Sequence, residues 1–151
     1  MKDRACGHTL RVTLDVDTLA PAVGPVFAAD ERVRFAYVFG SVAAGTATPH
    51  SDVDLGVSVQ PRGTLLDDAR LHDALVAALG REDVDLVVLE DAPLWIRYRV
   101  VGGRPVYSRD DVARVRHRAA VELAYLDFKP YRDAYLAAVH ERARSGRLSH
   151  G

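Results

Sequence analysis

The stretch that decides the fold runs from Gly40 to Val57 and reads GSVAAGTATPHSDVDLGV. It begins with small and turn-forming residues and ends in the alternating pattern that is typical of a β-strand. Two carboxylates, Asp52 and Asp54, lie two residues apart at the start of that strand. Side chains alternate between the two faces of a strand, so both carboxylates should point to one face while Val53 and Leu55 point to the buried face. The sequence therefore predicts two like charges side by side at the edge of a core.

This carboxylate pair predicts a metal site. Repulsion and partial burial raise the pKa of at least one carboxyl group, and a divalent cation that prefers hard oxygen ligands, Mg²⁺ or Mn²⁺, compensates the charge. A third carboxylate, Asp85, lies in the apolar run VDLVVL, where an unpaired acid would be costly. Asp83, two residues earlier, is the alternative ligand, and we favour Asp85. Three acids on adjacent strands can hold two metal ions about 3.5–4 Å apart, which suits in-line attack at phosphorus.

The turn that precedes the acids has the composition of a phosphate-binding site. Gly40 has no side chain to block the approach of a phosphate, and Ser41 offers a hydroxyl and a backbone N–H at the predicted start of a short helix. Gly45 allows the chain to turn back. A phosphate site one loop away from a metal-binding acid pair is what nucleotidyl transfer requires.

The composition sets limits on the other function classes. The 151 residues are enough for one domain, and the chain has 48% hydrophobic and 27% charged residues, as in ordinary globular proteins. We find no apolar run of membrane-spanning length and no signal peptide, so the sequence predicts a cytoplasmic protein without a membrane partner. Cys6 is the single cysteine, which excludes a disulfide framework. Residues 1–108 carry 11 basic and 15 acidic residues, so direct nucleic-acid binding is not expected.

Periodicity along the chain predicts an α/β (α+β) fold with a small mixed sheet and flanking helices. We expect strands at about 10–16, 34–40, 52–59, 83–90 and 104–108, and helices at about 18–29, 65–79 and 93–101. Pro25 is expected to kink or shorten the first helix, and Lys129-Pro130 to divide the C-terminal helical region into two helices. The predicted organisation is one domain over 1–151, with an N-terminal extension over about 1–16 and a helical tail over about 110–145.

At these motifs the sequence resembles a known family. Gly40-Ser41, ten residues and then Asp52-Val53-Asp54 match the GS-x10-DxD signature of minimal nucleotidyltransferases in the DNA polymerase beta-like superfamily. The strand VDLVVL and the segment RYRVVGGRPVYSRD are also similar to that group. The resemblance covers about residues 18–145 and implies the polymerase beta-like nucleotidyltransferase fold.

The helical tail DFKPYRDAYLAAVHERARSGRL resembles that of antitoxins whose toxin is a HEPN-domain ribonuclease. This resemblance implies that AMP is transferred from ATP to a tyrosine hydroxyl of the toxin, with Mg²⁺ as a pair of ions and the toxin as partner in a hetero-oligomer. Gly40 and Ser41 would hold the nucleotide phosphates, and Asp52 and Asp54 would ligate both metal ions. Asp85 would ligate the catalytic ion and help to deprotonate the attacking hydroxyl.

The sequence departs from the family in the phosphate loop and leaves other interpretations open. Ala44 stands where the family often has arginine, and a cation from Arg97, Arg99 or Arg104 could replace it. Trp95 and Tyr98 are predicted to be core residues rather than residues that stack on adenine. Two other functions remain as alternatives: nucleotidyl transfer to a small molecule such as an aminoglycoside, and neutralisation of a toxin by binding alone.

Overall fold

The computed structural model describes residues 14–146 as a four-stranded sheet with helices on both faces. The strands, in chain order, are β1 (Val33–Phe39), β2 (Val53–Val59), β3 (Val84–Val88) and β4 (Arg104–Ser108). The helices are α1 (Val16–Ala29), α2 (Gly40–Ala44), α3 (Leu65–Leu79), α4 (Leu94–Val101) and α5 (Asp111–Arg144), with a 3₁₀ turn at Leu89–Asp91 before α4.

The sheet is mixed, as predicted. Its strand order is β3-β2-β1-β4; β1 is antiparallel to both β2 and β4, whereas β2 and β3 are parallel. The register pairs Phe39 at the end of β1 with Asp54 in β2, and Asp54 with Asp85 in β3. The α/β fold with flanking helices and a long C-terminal helix is thereby confirmed, and the register brings two of the predicted acids to adjacent strands.

Local capping determines where α1 begins. Asp15 caps α1 and forms a reciprocal capping box with Thr18, so the helix begins slightly earlier than predicted. Pro25 does not shorten the helix, because α1 continues through it to Ala29, the predicted end. The N-terminal strand prediction lies mostly outside the described residues, and its last residue, Val16, is helical.

One face of the sheet carries a large apolar core. Helices α1 and α3 pack against this face and against each other. Every residue in this core is aliphatic or aromatic, and the main members are nearly inaccessible to solvent: Leu19, Val23, Phe27, Val33, Ala36, Val38, Val53, Leu55, Val57 and Leu75. This layer supplies most of the apolar burial that stabilises the fold.

A second, smaller core lies on the opposite face, beneath α4 and the first half of α5. It contains Phe35, Tyr37, Phe39, Leu89, Val100, Val101 and Val121. Gly56 is needed for this packing, because a Cβ there would lie 2.3 Å from Cγ1 of Val100. The absence of a side chain at that point lets α4 lie directly against β2.

The C-terminal helix is continuous, which corrects one expectation. Pro130 lies inside α5, and the predicted break at Lys129-Pro130 is wrong. Proline leaves the carbonyl of Leu126 without its helical donor, but Leu126 is 60% exposed, so water can bond that carbonyl. Beyond Tyr125 nearly every side chain of α5 is exposed, so the second half of the helix extends beyond the core. No helix within residues 14–146 is long and apolar enough to cross a membrane.

Candidate active site

The three predicted acids lie at one end of the sheet, where β1 ends and β2 and β3 begin. Asp54, in β2, is partly buried and sits between Phe39 of β1 and Asp85 of β3 in the strand register. Asp85 is exposed, contrary to the expectation that apolar residues enclose it, because β3 is an edge strand. Asp52 is exposed and lies one residue before β2 begins.

Asp54 carries the electrostatic signature of a crowded acid. Burial raises the pKa of its carboxyl group above the usual value, and the negative charges of Asp85 and Asp52 raise it further. The carboxyl groups of Asp54 and Asp85 are close enough to share a hydrogen bond. Arg99 acts in the opposite direction on this pKa, but it does not cancel the shift. The cluster therefore has an excess of negative charge, which favours a bound cation.

Asp83, the alternative to Asp85, is engaged elsewhere. The guanidinium of Arg81 pairs with its carboxylate, and this contact holds the pKa of Asp83 below its usual value. Arg81 also donates a hydrogen bond of 2.7 Å to the carbonyl oxygen of Ser51. The structure thus brings Asp85 next to Asp54, while Asp83 serves to anchor the start of β2. The ligand roles of these residues remain predictions.

The backbone at Gly40 lies against the Asp54 carboxylate. Gly40 begins α2 with a φ of 70°, and a Cβ built on it would lie 2.3 Å from Oδ2 of Asp54. Gly45 ends the same short helix with a φ of 74°, where a Cβ would meet no atom within 4 Å. Both glycines adopt the left-handed region, but only Gly40 is also required by a close approach. The Gly40 backbone therefore lies directly beside the Asp54 carboxylate, and Ser41 is the next residue of α2.

The donor set fits a metal ion that binds together with a nucleotide. Within residues 14–146, no three acidic, histidine or cysteine side chains converge into a complete metal-binding group. Mg²⁺ is usually bound by one or two carboxylates, waters and substrate phosphates rather than by an all-protein cage. The Asp54–Asp85 pair, with Asp52 in electrostatic range, matches the one or two carboxylates that such a site would need.

Of the three arginines that could replace the missing loop cation, Arg99 lies nearest to the acids. Its guanidinium lies 5.8 Å from the centre of the Phe39 ring, and its charge acts on Asp54. Arg97 instead donates a hydrogen bond of 2.8 Å from Nε to the carbonyl oxygen of Ala92. Arg104 is exposed at the start of β4. The sequence alone gives no reason to prefer one of these three arginines.

The sequence did not predict a cavity of about 710 Å³ between α4 and α5, which Arg99 helps to line. Trp95 and Tyr98 are predicted from the sequence to be core residues. They are in fact 54% and 37% exposed, so that prediction is wrong. The signal was present on α5, where side chains at three- and four-residue steps form one helical face. The residues that line the cavity are Trp95, Tyr98, Arg99, Tyr125, Phe128, Arg132, Tyr135 and Leu136.

Comparison with known proteins gives a family and a fold. The family model "Polymerase beta, Nucleotidyltransferase" matches residues 23–112, which include the Gly40-Ser41 turn and all three acids. A solved structure described as a minimal nucleotidyltransferase is 36% identical, with a TM-score of 0.52, and the match covers 62% of this chain and 96% of the other. No curated protein matches the chain significantly.

Two further solved structures are similar in fold. One is a toxin–antitoxin crystal structure with AMP-PNP, at 22% identity and a TM-score of 0.69, where the match covers 80% of this chain and 98% of the other. The second is a tri-AMPylated Shewanella oneidensis HEPN toxin in complex with its MNT antitoxin, at 20% identity and a TM-score of 0.66. That match covers 83% of this chain and 98% of the other. At these identities the likeness is one of fold.

Proposed function

The chain belongs to the polymerase beta nucleotidyltransferase family, and from this we propose that it is an antitoxin that transfers AMP from ATP to a tyrosine hydroxyl of a HEPN-domain toxin. The observation that carries the proposal is the convergence of Asp54, Asp85 and the Gly40 backbone at one end of the sheet. The fold likeness to a nucleotide-bound toxin–antitoxin structure and to one with an AMPylated HEPN toxin supports this choice of acceptor.

The acids would hold the metal in this proposal. Asp52 and Asp54 would contact both of two Mg²⁺ ions, and Asp85 one of them, with Mn²⁺ as a possible replacement. When bound, the ions supply charge neutralisation on the phosphates and make the acceptor hydroxyl easier to deprotonate. The excess negative charge at Asp54 gives the physical reason for this assignment.

Gly40, Ser41 and Arg99 would bind the triphosphate. The backbone of Gly40 leaves room for a phosphate beside Asp54, and Ser41 adds an N–H and a hydroxyl at the start of α2. Arg99 would provide the positive charge that Ala44 cannot, since its guanidinium is free to reach toward the acids. The departure from the family's loop sequence is then compensated from α4.

The transfer itself is an in-line substitution at the α-phosphorus of ATP. The tyrosine oxygen forms a new bond to that phosphorus, and the bond from the phosphorus to the oxygen that bridges to the β-phosphate breaks. Pyrophosphate leaves with that bridging oxygen, and the tyrosine proton passes to the Asp85 carboxylate and then to water. Asp85 is exposed and can therefore exchange its proton with solvent.

The toxin would also bind stably to the outer face of α5. Three large apolar side chains there are more than half exposed: Leu123 at 65%, Leu126 at 60% and Tyr131 at 76%. Exposed apolar groups at helical spacing are typical of a surface that another protein covers. Binding without chemistry is the second candidate function, and Ala44 in the phosphate loop is the observation that favours it.

Intact mass spectrometry of the protein encoded beside this one tests the proposal. Incubation with Mg²⁺ and ATP should add one or more AMP units to that neighbour. The double variant Asp52→Asn, Asp54→Asn should abolish the gain, whereas Asp73→Asn, which changes an 86% exposed acid on α3, should leave it intact. An unchanged mass in a tight complex would refute the transfer activity and establish the binding function instead.

A further inference from the structure

The cavity between α4 and α5 is built from aromatic and cationic side chains. Trp95 and Tyr98 come from α4, and Tyr125 and Arg132 from α5. None of the described side chains that line it is acidic. Its volume of about 710 Å³ lies within the usual range of small-molecule sites. Five of its eight lining residues lie on α5, beyond the range that the family model matches.

Contacts among its own side chains hold the aromatic wall of this cavity in place. The rings of Tyr98 and Tyr125 are stacked, with centres 3.7 Å apart and planes 8° from parallel. The guanidinium of Arg132 lies 5.9 Å from the centre of the Tyr125 ring and donates a hydrogen bond to the Tyr125 hydroxyl. Trp95, which is 54% exposed, is left with ring surface that no protein atom covers. Such a wall suits a flat ring system.

Arg99 connects the cavity to the acids. It lines the cavity, and the same guanidinium acts on Asp54 and lies over Phe39. Within residues 14–146, neither Arg99 nor Arg132 forms an ion pair, so both positive charges are available to an anionic ligand. Arg99 is therefore the residue that the cavity and the acid pair have in common.

We propose that this cavity is the nucleobase subsite for the purine nucleotide, with Trp95 as the residue that stacks on the base. The inference rests on the proposed function, because it extends the nucleotide from the phosphates at Gly40-Ser41 into a defined pocket. A base needs only aromatic faces and side-chain donors, and base–aromatic stacking is strong and common. Arg132 lies where it can donate to acceptor atoms on the base edge.

A peptide segment of the partner is the competing occupant, and the cavity suits it less well. Both walls are α-helices, whose backbone N–H and C=O groups are already paired within the helix. An extended peptide would find no sheet edge to pair with, whereas recognition of extended peptides depends largely on such pairing. A helical segment can also bind between two helices, but the unpaired guanidinium groups of Arg99 and Arg132 match the phosphates of a nucleotide rather than an apolar helix face, so the observations favour the base.

The tryptophan content of the chain provides a direct test. Trp95 is the single tryptophan, so its fluorescence emission reports on this cavity alone. Titration of the full chain with Mg²⁺ and ATP should change the emission of Trp95 with a saturating curve. Titration with Mg²⁺ and inorganic tripolyphosphate should leave the emission nearly unchanged, because tripolyphosphate has no base. It should still compete with ATP, because it has the phosphates.

A substitution gives the second measurement. Trp95→Leu should raise KM for ATP about tenfold or more and leave kcat for AMP transfer nearly unchanged, because stacking contributes to binding rather than to the reacting atoms. Leu66→Ala is the control, since Leu66 lies on α3, is 59% exposed against 54% for Trp95, and does not line the cavity. Thermal melts of both variants verify that each is folded.

The outcomes separate this inference from the proposed function. If AMP transfer proceeds while ATP leaves Trp95 emission and the KM of Trp95→Leu unchanged, the base lies elsewhere and only the inference is overturned. A response of Trp95 to the partner protein but not to ATP would also overturn it and assign the cavity to the acceptor. If ATP changes the emission but no AMP is transferred, the subsite stands and the proposed transfer fails.

Discussion

The two faces of the sheet bury different kinds of residue. On the α1/α3 face the core is wholly apolar, and the contacts between α1 and α3 close it. On the α4/α5 face the core is smaller, and the same layer holds the Asp54–Asp85 pair, the cavity and buried polar atoms of Tyr37 and His117 that have no hydrogen-bond partner among the described residues.

A single strand produces this difference. Along β2, Val53, Leu55 and Val57 join the α1/α3 core, while the alternate residues Asp54 and Gly56 face α4. The alternation of side chains lets the strand contribute to stability on one face and to chemistry on the other. The comparison teaches that substitutions on the two faces of one strand or sheet should have separable effects.

The largest separation is expected at Asp54. Asp54→Asn should reduce AMP transfer by about 10³-fold, because the variant loses the central carboxylate of the cluster. Thermal stability should stay the same or rise, because burial and the charge of Asp85 disfavour the ionised carboxylate that is removed. A transfer assay combined with a thermal melt measures both. Retention of activity, or a marked fall in melting temperature, would contradict the division between the faces.

The reverse result is expected on the other face. Leu75, in α3, is completely buried, and Leu75→Ala should lower the free energy of unfolding by about 3 kcal/mol through lost burial and a residual cavity. The folded protein should keep its KM and kcat. Urea denaturation measures the first effect, and a transfer assay under folding conditions measures the second. A severalfold change in KM would show that the two faces are coupled.

The two positive-φ glycines of α2 give a matched pair. Gly40→Ala and Gly45→Ala should each cost about 1 kcal/mol of stability, because alanine is strained at φ values of 70° and 74°. Only Gly40→Ala should also reduce AMP transfer, by about tenfold, since its Cβ would clash with Asp54 Oδ2. Equal activity in the two variants would mean that the backbone at Gly40 does not approach the reacting groups.

The smallest effect concerns the pH dependence of stability. Burial lowers the pKa of His117, with Glu90 opposing and Arg97 reinforcing the shift, and its ring packs on Phe35. His117 binds a proton more readily in the unfolded state than in the folded state. Its contribution to the free energy of unfolding is therefore complete above about pH 6.5, the usual pKa of histidine, and is lost as the pH falls below that value. His117→Gln should show a shallower fall in melting temperature between pH 7 and pH 5. Identical slopes would refute the assignment.

Much of this arrangement follows from local sequence patterns. Strands β1, β2 and β3, the cap at Thr64 and the glycine after α3 were all predicted from alternation, capping and turn residues. The proximity of Asp54 and Asp85 followed from two acids on neighbouring apolar strands. These features depend on contacts close in sequence or on simple strand geometry, which is why the sequence was sufficient.

The remaining features depend on how elements pack together. The faces that α4 presents to the sheet and to α5 follow from the angle between these helices, so neither the exposure of Trp95 nor the choice of Arg99 over Arg97 could be predicted. Pro130 was expected to end a helix by its local effect, but the exposed helix continues past it. In each of these cases tertiary packing determines the structure, and local propensity carries no information about that packing.

A crystal structure with Mg²⁺ and a non-hydrolysable ATP analogue tests the central claim most directly, namely that the α4/α5 face carries the nucleotide chemistry. The account predicts that the α-phosphate lies beside Asp54 and Asp85, the outer phosphates contact the backbone at Gly40 and Ser41, and the base stacks on Trp95. An analogue bound on the α1/α3 face, or with its phosphates away from the acid pair, would contradict it.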